Sequence, residues 1–189
     1  MVGERDKSGN RYRIDTWNVR GTGSDEDAEP KIYIILRALE AYRLNLTVIM
    51  ETKHRGGSYE ENYNIGGTDY KIFFAGPQDD IRNHHGVALA VRFTRWDEWE
   101  GQWEPISNQI VTARIHNGKE TTLIVEAYAP TEVSEAQMKD QFYEFYEQLE
   151  EILSHATGNQ KIIVLGDFNA NINPKDRCND DLVFGPYGC

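Results

Sequence analysis

The sequence predicts an α/β protein. Three observations point to this class: the chain opens with a strand, a helix and a second strand; its middle holds an antiparallel hairpin; and a long amphipathic helix near its end leads into an apolar strand. The segments show no internal repeat and no linker that would separate two domains. We therefore expect one domain over residues 12–189, preceded by a polar, flexible segment at residues 1–11.

The opening unit consists of three segments. Residues 12–18, YRIDTWN, alternate between two faces, as a strand does. Pro30 suits the first turn of a helix. Apolar residues then follow at the spacing of one helical face, which predicts a helix that ends near residue 43 or 44: Ile32, Ile35, Leu36, Leu39 and Tyr42. The apolar run 46–50, LTVIM, predicts a short buried strand that is followed directly by Glu51.

The middle of the chain predicts an antiparallel arrangement. Residues 54–69 are rich in Gly, Tyr, Asn and Glu and are expected to form a surface loop. Residues 94–105 hold tryptophans among charged residues, and we expect an edge or a packed loop there. Asn117-Gly118 is a strong hairpin signal between the last two of four expected strands, which lie at 70–75, 86–93, 108–115 and 121–128.

The closing unit is a helix followed by the most apolar strand. Ser134 and Gln137 have the spacing of a capping box, and an apolar stripe from Met138 to Leu153 follows them. Gly158 suits the helix C-cap. The uninterrupted run at residues 162–165, IIVL, predicts a strand buried on both faces and ended by Gly166.

Composition and charge limit the possible functions. The 189 residues carry a formal net charge of −11, which argues against a broadly basic nucleic-acid platform. A nuclease remains possible, because a divalent cation in a carboxylate site reverses the local charge. No segment is long and apolar enough for a membrane span or a signal peptide, so we expect an intracellular protein, nuclear or cytoplasmic, that is not secreted. Cys178 and Cys189 lack metal-site spacing, and we expect no disulfide-linked partner.

Polar residues stand where the predicted strands end. Asn18 and Glu51 close the two opening strands, Tyr128 closes a middle strand, and Asp167 and Asn169 follow the last one. In extended geometry the i, i+2 spacing places Asp167 and Asn169 on one face. If these ends meet, Glu51 can ligate Mg²⁺ with Asn18 in support, and Tyr128 can donate to a phosphate oxygen. Asp167 can then activate water, and Asn169 can stabilise the transition state.

Each of these residues also has an ordinary structural explanation. Asp167 and Asn169 suit an Asx turn, Glu51 a solvated charge, and Tyr128 a packed aromatic ring with a wet hydroxyl. Their joint occurrence at strand ends is what favours a site. The pair His84-His85 is explained by a polar loop, since adjacent side chains on a strand point to opposite faces. Arg20 and Arg82 are further candidates for contacts with substrate phosphates.

The motifs TWNVRG, VIMETK, GVALAV, AYAPT and LGDFNA occur in an order and spacing that resemble the endonuclease/exonuclease/phosphatase superfamily. GPQDDIRNHHGVALAV and the closing GPYGC are similar to its branch found in non-LTR retrotransposons and craniofacial-development-protein-2-like sequences. This resemblance implies a DNase I-like four-layer α/β/β/α sandwich and phosphodiester hydrolysis with Mg²⁺ or Mn²⁺. It implies metal binding by Glu51 with Asn18, phosphate contact by Tyr128, and the water and transition-state roles for Asp167 and Asn169.

Two features depart from the family pattern. Arg20 stands where apurinic endonucleases carry an acidic residue, as it does in the retrotransposon branch. The family also continues beyond a GPxG segment to a late Asp-His pair, which the sequence lacks, so the resemblance implies a domain that is incomplete at the C-terminus and impaired in catalysis. A strand edge and an apolar face are then expected to be exposed.

These observations lead to three hypotheses of function. The first is a divalent-metal-dependent endonuclease of retrotransposon type with DNA as its substrate. The second is a phosphatase that acts on a small phosphorylated molecule such as an inositol phosphate, which the acidic net charge favours slightly. The third is a non-catalytic remnant or binding module, which the missing Asp-His pair favours.

Overall fold

The computed structural model describes residues 2–5, 11–22, 30–54, 57–76, 86–98, 100–117, 120–130, 136–156 and 160–169. These residues form ten strands and three helices in a mixed order. The strands are β1 Val2–Arg5, β2 Arg11–Asn18, β3 Leu46–Met50, β4 Tyr59–Ile65, β5 Thr68–Ala75, β6 Val87–Arg92, β7 Gln102–Pro105, β8 Ile110–Asn117, β9 Glu120–Tyr128 and β10 Gln160–Asp167. The helices are α1 Lys31–Tyr42, α2 Phe93–Glu98 and α3 Ala136–Ser154.

The strands form two sheets that pack face to face. The first has the order β1-β2-β3-β6-β5-β4 and the second the order β10-β9-β8-β7. A buried apolar cluster lies between them, with Leu46 and Leu89 from the first sheet and Val111 and Ile124 from the second. Because this cluster draws on both sheets, it is the central core that holds the two layers together.

The helices cover the outer faces of the two sheets. The apolar stripe of α1, which includes Leu36 and Leu39, packs on Ile49 and Ile72 of the first sheet. Phe145 of α3 and its neighbours pack on the outward side chains of β9. The result is the four-layer α/β/β/α arrangement that the resemblance of the motifs implies, with a helix on each side of two packed sheets.

Two parallel strand pairs bring the polar strand ends to one edge. β2 runs parallel to β3, and Asn18 lies opposite Met50, directly before Glu51. β10 runs parallel to β9, and Asp167 lies opposite Tyr128. Parallel neighbours end at the same edge of a sheet, so two candidate side chains lie close together at the end of each strand pair.

The expected strands and the hairpin are confirmed with small shifts of their ends. Residues 12–18, 46–50, 70–75 and 86–93 correspond to β2, β3, β5 and β6. Asn117 and Glu120 pair in register, as expected for the antiparallel hairpin of β8 and β9. Helix α1 also matches, and it ends where Arg43 takes the left-handed backbone conformation of a C-cap.

The surface loop expected at residues 54–69 is wrong over most of its length. Residues 59–65 form β4, an edge strand joined to β5 by Gly66-Gly67. Both glycines have positive φ, as a two-residue hairpin turn of type I′ requires. Polar residues dominate β4 because an edge strand faces solvent along much of its surface, and this composition resembles that of a loop.

The segment 94–105 contains an edge, as expected, and also a short helix that the sequence did not predict. It forms helix α2 and the edge strand β7, and the buried Trp96 ring packs against Phe73 with 4.8 Å between ring centroids. At the N-terminus, Val2–Arg5 pairs with β2, so this part of residues 1–11 is a strand and differs from the flexible segment expected there.

Strand β10 is less buried than its apolar sequence predicts. Ile162 is 42% exposed and Val164 is 37% exposed, whereas Ile163 and Leu165 pack against the central core. In the part of the chain that the structure describes, β10 pairs only with β9, so one face and one edge stay open. Gly166 lies within β10 and does not end it.

Several sequence-based expectations fall outside the described residues. They concern Ser134 at the start of α3, Arg82, His84-His85, and the cysteines Cys178 and Cys189. None of the helices in the described ranges is long and apolar enough to cross a membrane.

Candidate active site

Glu51 is the centre of the candidate site. One oxygen of its carboxylate, Oε1, accepts a hydrogen bond from Asn18 Nδ2 at 2.7 Å and another from the Tyr128 hydroxyl at 2.9 Å. Asn18 comes from β2, Glu51 follows β3, and Tyr128 ends β9 in the other sheet. The bond from Tyr128 therefore joins the two sheets at the edge where their strands end, and the bond from Asn18 joins two neighbouring strands of the first sheet.

The backbone around Glu51 adopts an uncommon conformation. Glu51 and Lys53 both have φ of 53°, and Arg20 has φ of 55°, in the left-handed region that side chains other than glycine rarely adopt. Such residues persist where the surrounding structure holds them, and they are found often at functional sites. Here backbone hydrogen bonds hold the segment after β3 in place: Thr22 N, after β2, donates to Thr52 O, and Thr52 N donates to Gly86 O, directly before β6.

Asp167 and Asn169 lie beside Tyr128 at the end of β10. The backbone N–H of Asn169 donates to Asp167 Oδ1 at 2.9 Å, which is the Asx turn that the sequence also suggests. Asn169 Nδ2 donates to the backbone carbonyl of Ala129 at 2.6 Å. Asn169 has φ of 46°, so the extended geometry assumed for the i, i+2 pair does not hold, and the turn instead places both side chains near Tyr128.

Gly166 allows β10 to approach β9 closely. A Cβ atom at this position would lie 1.7 Å from the carbonyl oxygen of Ala127. No Cβ atom fits at that distance, so the position directly before Asp167 requires glycine. In this closely spaced strand pair, Asp167 lies in register with Tyr128.

Burial and hydrogen bonding have opposite effects on the ionisation of Glu51. Burial raises the pKa of the Glu51 carboxyl, but the bonds from Asn18 and Tyr128 and the charges of Lys53 and Arg20 lower it below its usual value. The carboxylate form is therefore favoured. Burial, and then the bond to Glu51, raise the pKa of Tyr128 to about 12. Its hydroxyl thus keeps its proton at neutral pH and acts as a donor.

The donor set fits a hard divalent cation. Both hydrogen bonds to Glu51 end on Oε1, which leaves Oε2 as the atom that can ligate a cation. Among the described residues, no group of three or more His, Cys, Asp or Glu side chains could enclose a metal ion. Mg²⁺ does not need such a cage, because it binds through one or two carboxylates and keeps waters and substrate phosphates as its other ligands.

The structure brings together five of the residues singled out from the sequence, Asn18, Glu51, Tyr128, Asp167 and Asn169. Arg20 lies next to them, and its backbone N–H donates to Asn18 Oδ1 at 3.3 Å. Sequence reasoning missed two neighbours. Lys53 acts on Glu51 through its charge. Gln109 bonds the backbone of Tyr128 through both its side chain and its carbonyl oxygen, at 3.0 Å and 2.9 Å, and no local sequence signal marks it.

The chain is similar to two curated proteins and to several solved structures. It is 26% identical over 175 residues to craniofacial development protein 2 of Bos taurus, and 23% identical to that of Tragulus javanicus. Each match covers 87% of this chain, and the chain spans about a quarter of the length of these relatives. The similarity confirms the resemblance to craniofacial-development-protein-2-like sequences.

Two solved structures share the fold. An AP endonuclease of Leishmania major, LMAP, superposes with a TM-score of 0.55 at 13% identity, over 82% of this chain and 54% of that protein. An AP endonuclease from Archaeoglobus fulgidus superposes with a TM-score of 0.54 at 14% identity, over 87% and 60% of the two chains. The model of the Endonuclease/Exonuclease/phosphatase family matches residues 16–182, and the chain therefore belongs to this family.

Proposed function

We propose that this chain is part of a divalent-metal-dependent phosphodiester hydrolase that nicks DNA, of the type found in non-LTR retrotransposons. The observation that carries the proposal is the Glu51 carboxylate, held by Asn18 and Tyr128 beside Asp167. The motifs around these residues support the choice of a nuclease, and membership of the family supports hydrolysis of a phosphate ester.

The proposed roles follow from the atoms that remain available. Glu51, with Asn18 in support, would hold Mg²⁺ or Mn²⁺ through Oε2. The bound ion would neutralise charge on the scissile phosphate and lower the pKa of a water molecule. Tyr128 donates its proton to Glu51 in this structure, and on substrate binding it would turn that donor to a phosphate oxygen. One hydroxyl proton serves either partner but not both at once.

The second group of residues would act on water and on the developing charge. Asp167 Oδ1 accepts the backbone N–H of Asn169, so Oδ2 is the oxygen that would orient and deprotonate the attacking water. One N–H of the Asn169 amide bonds to Ala129, and its other N–H would donate to the phosphoryl oxygens of the transition state. Arg20 and Lys53 would add positive charge near the phosphodiester.

The proposal is tested with a version of the chain extended through the late Asp-His pair of the family pattern, by nicking of supercoiled plasmid DNA under single-turnover conditions with Mg²⁺, with Mn²⁺ and with EDTA. We expect relaxed circles with either metal and none with EDTA. Asp167→Ala and Glu51→Ala should each reduce the rate by at least about 100-fold. Glu104→Ala is the matched control, because Glu104 is an exposed carboxylate on β7, away from the site. Undiminished cleavage by Asp167→Ala and Glu51→Ala would overturn the proposal.

Two parallel measurements separate the alternatives. Release of inorganic phosphate from inositol phosphates without plasmid nicking would favour the phosphatase, which the net charge of −11 suits. Calorimetric titration with Mg²⁺ tests the non-catalytic reading, because a chain that binds no metal at millimolar concentration cannot use Glu51 as proposed.

A further inference from the structure

The antiparallel ladder between β8 and β9 ends at the candidate active site, and the pair that follows it is irregular. Ile110 lies opposite Ala127, so the next pair in this register is Gln109 with Tyr128. The Tyr128 N–H donates to the Gln109 carbonyl at 2.9 Å. Hydrogen-bonded antiparallel pairs normally exchange a second bond, but here the Gln109 N–H donates to Ser107 Oγ at 3.3 Å. The same Oγ accepts the Ile110 N–H at 3.1 Å, so the turn before β8 fixes the backbone of Gln109.

The side chain of Gln109 takes the place of that second bond. Its amide nitrogen, Nε2, donates to the Tyr128 carbonyl at 3.0 Å in a partly buried setting. A backbone carbonyl that is shielded from water and left without a donor costs free energy. An amide at position 109 therefore stabilises the end of β9, and an apolar side chain of the same length would not supply the N–H.

The turn before β8 is also tied to the segment that carries Glu51. The backbone N–H of Gly86 donates to the carbonyl of Asn108 at 3.2 Å, and the N–H of Thr52, directly after Glu51, donates to the carbonyl of Gly86 at 2.9 Å. This route runs beside the direct hydrogen bond from the Tyr128 hydroxyl to Glu51 Oε1. The two residues are therefore held relative to each other through their backbones as well as through their side chains.

We propose that Gln109 is a positioning residue, which fixes the backbone of Tyr128 so that the Tyr128 hydroxyl meets Glu51. The hydroxyl lies at the far end of the tyrosine side chain, so a small rotation of the backbone at the end of β9 displaces it beyond hydrogen-bond distance. Gln109 acts through Tyr128. Its effect on hydrolysis rests on the function proposed above, whereas its effect on the Tyr128 hydroxyl does not.

The first test needs no metal and no catalysis. The full chain is labelled with carbon-13 at the tyrosine Cζ atoms, whose NMR shifts report the hydrogen bonds of the hydroxyl groups, and Tyr128→Phe identifies the Tyr128 signal. Gln109→Met keeps the length of the side chain and removes the N–H donor. We expect it to move the Tyr128 signal toward the position found in Glu51→Ala, where the hydroxyl has lost its acceptor.

The matched control for this test is Gln102→Met. Gln102 is an exposed glutamine and the first residue of β7, so it lies at the end of that strand farther from the turn. Its replacement should leave the Tyr128 signal where it is in the unchanged chain. A Tyr128 signal that does not move in Gln109→Met overturns the proposal.

The second test measures the consequence at the Glu51 carboxylate. In calorimetric titration with Mg²⁺, Gln109→Met should weaken binding by about three- to tenfold, less than Tyr128→Phe, because Gln109 acts one contact further from the ion. In the double variant, Gln109→Met should add nothing to the loss from Tyr128→Phe, because the hydroxyl through which it acts is gone.

The outcomes separate this role from general stability and from the proposed function. Thermal unfolding checks that each variant folds. Equal weakening of Mg²⁺ binding by Gln109→Met with and without the Tyr128 hydroxyl would show a loss of structure that does not pass through Tyr128, and would overturn the proposal. If the unchanged chain binds no Mg²⁺ while the Tyr128 signal moves as expected, the proposed function fails and the positioning role of Gln109 stands.

Discussion

Glu126 places a carboxyl group in the apolar core between the two sheets. It is 1% exposed, and neither of its carboxyl oxygens makes a hydrogen bond of ordinary geometry with the described residues. Its neighbours on the same strand face are Ile124 and Tyr128, and Val111 and Leu165 lie opposite it in β8 and β10. Burial raises the pKa of Glu126 well above its usual value of 4.5, more than the backbone of Ala88 lowers it. Burial therefore favours the protonated form of Glu126 in the folded protein.

We predict that Glu126→Gln stabilises the protein at neutral pH and has little effect at pH 4. Below pH 4.5 the Glu126 carboxyl is protonated in both states, so folding carries no proton-linked penalty. Above that pH the unfolded chain releases the proton and the folded chain keeps it, so stability falls by about 1.4 kcal/mol per pH unit until the raised folded pKa is reached. From pH 4.5 to pH 7 this penalty is at most about 3.5 kcal/mol.

Urea unfolding at pH 4, 5, 6 and 7 measures this difference. Glutamine keeps the size and polarity of the protonated carboxyl, so subtraction of the two curves cancels the titration of all other groups. Tyr128, the titratable neighbour on the same face, stays neutral over this range because its pKa is about 12. Glu120→Gln is the matched control, since Glu120 is exposed at the start of the same strand and pairs with Lys161. Equal pH dependence of the unchanged chain and Glu126→Gln would refute the reasoning.

Three further predictions concern the close strand pair, the site and the core. Gly166→Ala should lower the free energy of unfolding by more than about 3 kcal/mol in urea titrations, because its Cβ would meet the Ala127 carbonyl oxygen at 1.7 Å. Tyr128→Phe should reduce plasmid nicking or Mg²⁺ affinity by about 10- to 100-fold, because it removes a donor to Glu51. Phe73→Ala should cost about 3–5 kcal/mol in thermal or urea unfolding, because the fully buried ring packs against two tryptophans.

Each of these predictions has an outcome that contradicts it. Gly66 lies in open space with φ of +58°, so Gly66→Ala should lower the free energy of unfolding by only about 1 kcal/mol. An equally small decrease for Gly166→Ala would show that β9 and β10 can move apart to accommodate the new side chain. Full activity of Tyr128→Phe would show that Asn18 alone holds Glu51. A loss below about 1 kcal/mol for Phe73→Ala would mean that the core closes around the missing ring.

Most of the fold was predicted from the local periodicity of apolar residues. Alternation at residues 12–18, the apolar run at 46–50 and the helical stripe from Ile32 are properties of neighbouring residues, and the structure contains β2, β3 and α1 at these places. β4 was missed because a solvent-facing edge strand has the polar composition of a loop. The burial of β10 was overestimated because its sequence does not reveal how many neighbours the strand has.

The sequence by itself determined most of the elements and which polar residues end the strands, since both depend on residues close together in the chain. Only the tertiary structure decided that these ends meet. Asn18 lies 33 residues from Glu51 and Tyr128 lies 77 residues from it, and the parallel pairing of β2 with β3 and the packing of the two sheets bring the three side chains within hydrogen-bond distance. The same packing buried Glu126. Such contacts arise from strand pairing and layer packing, which local preference does not specify.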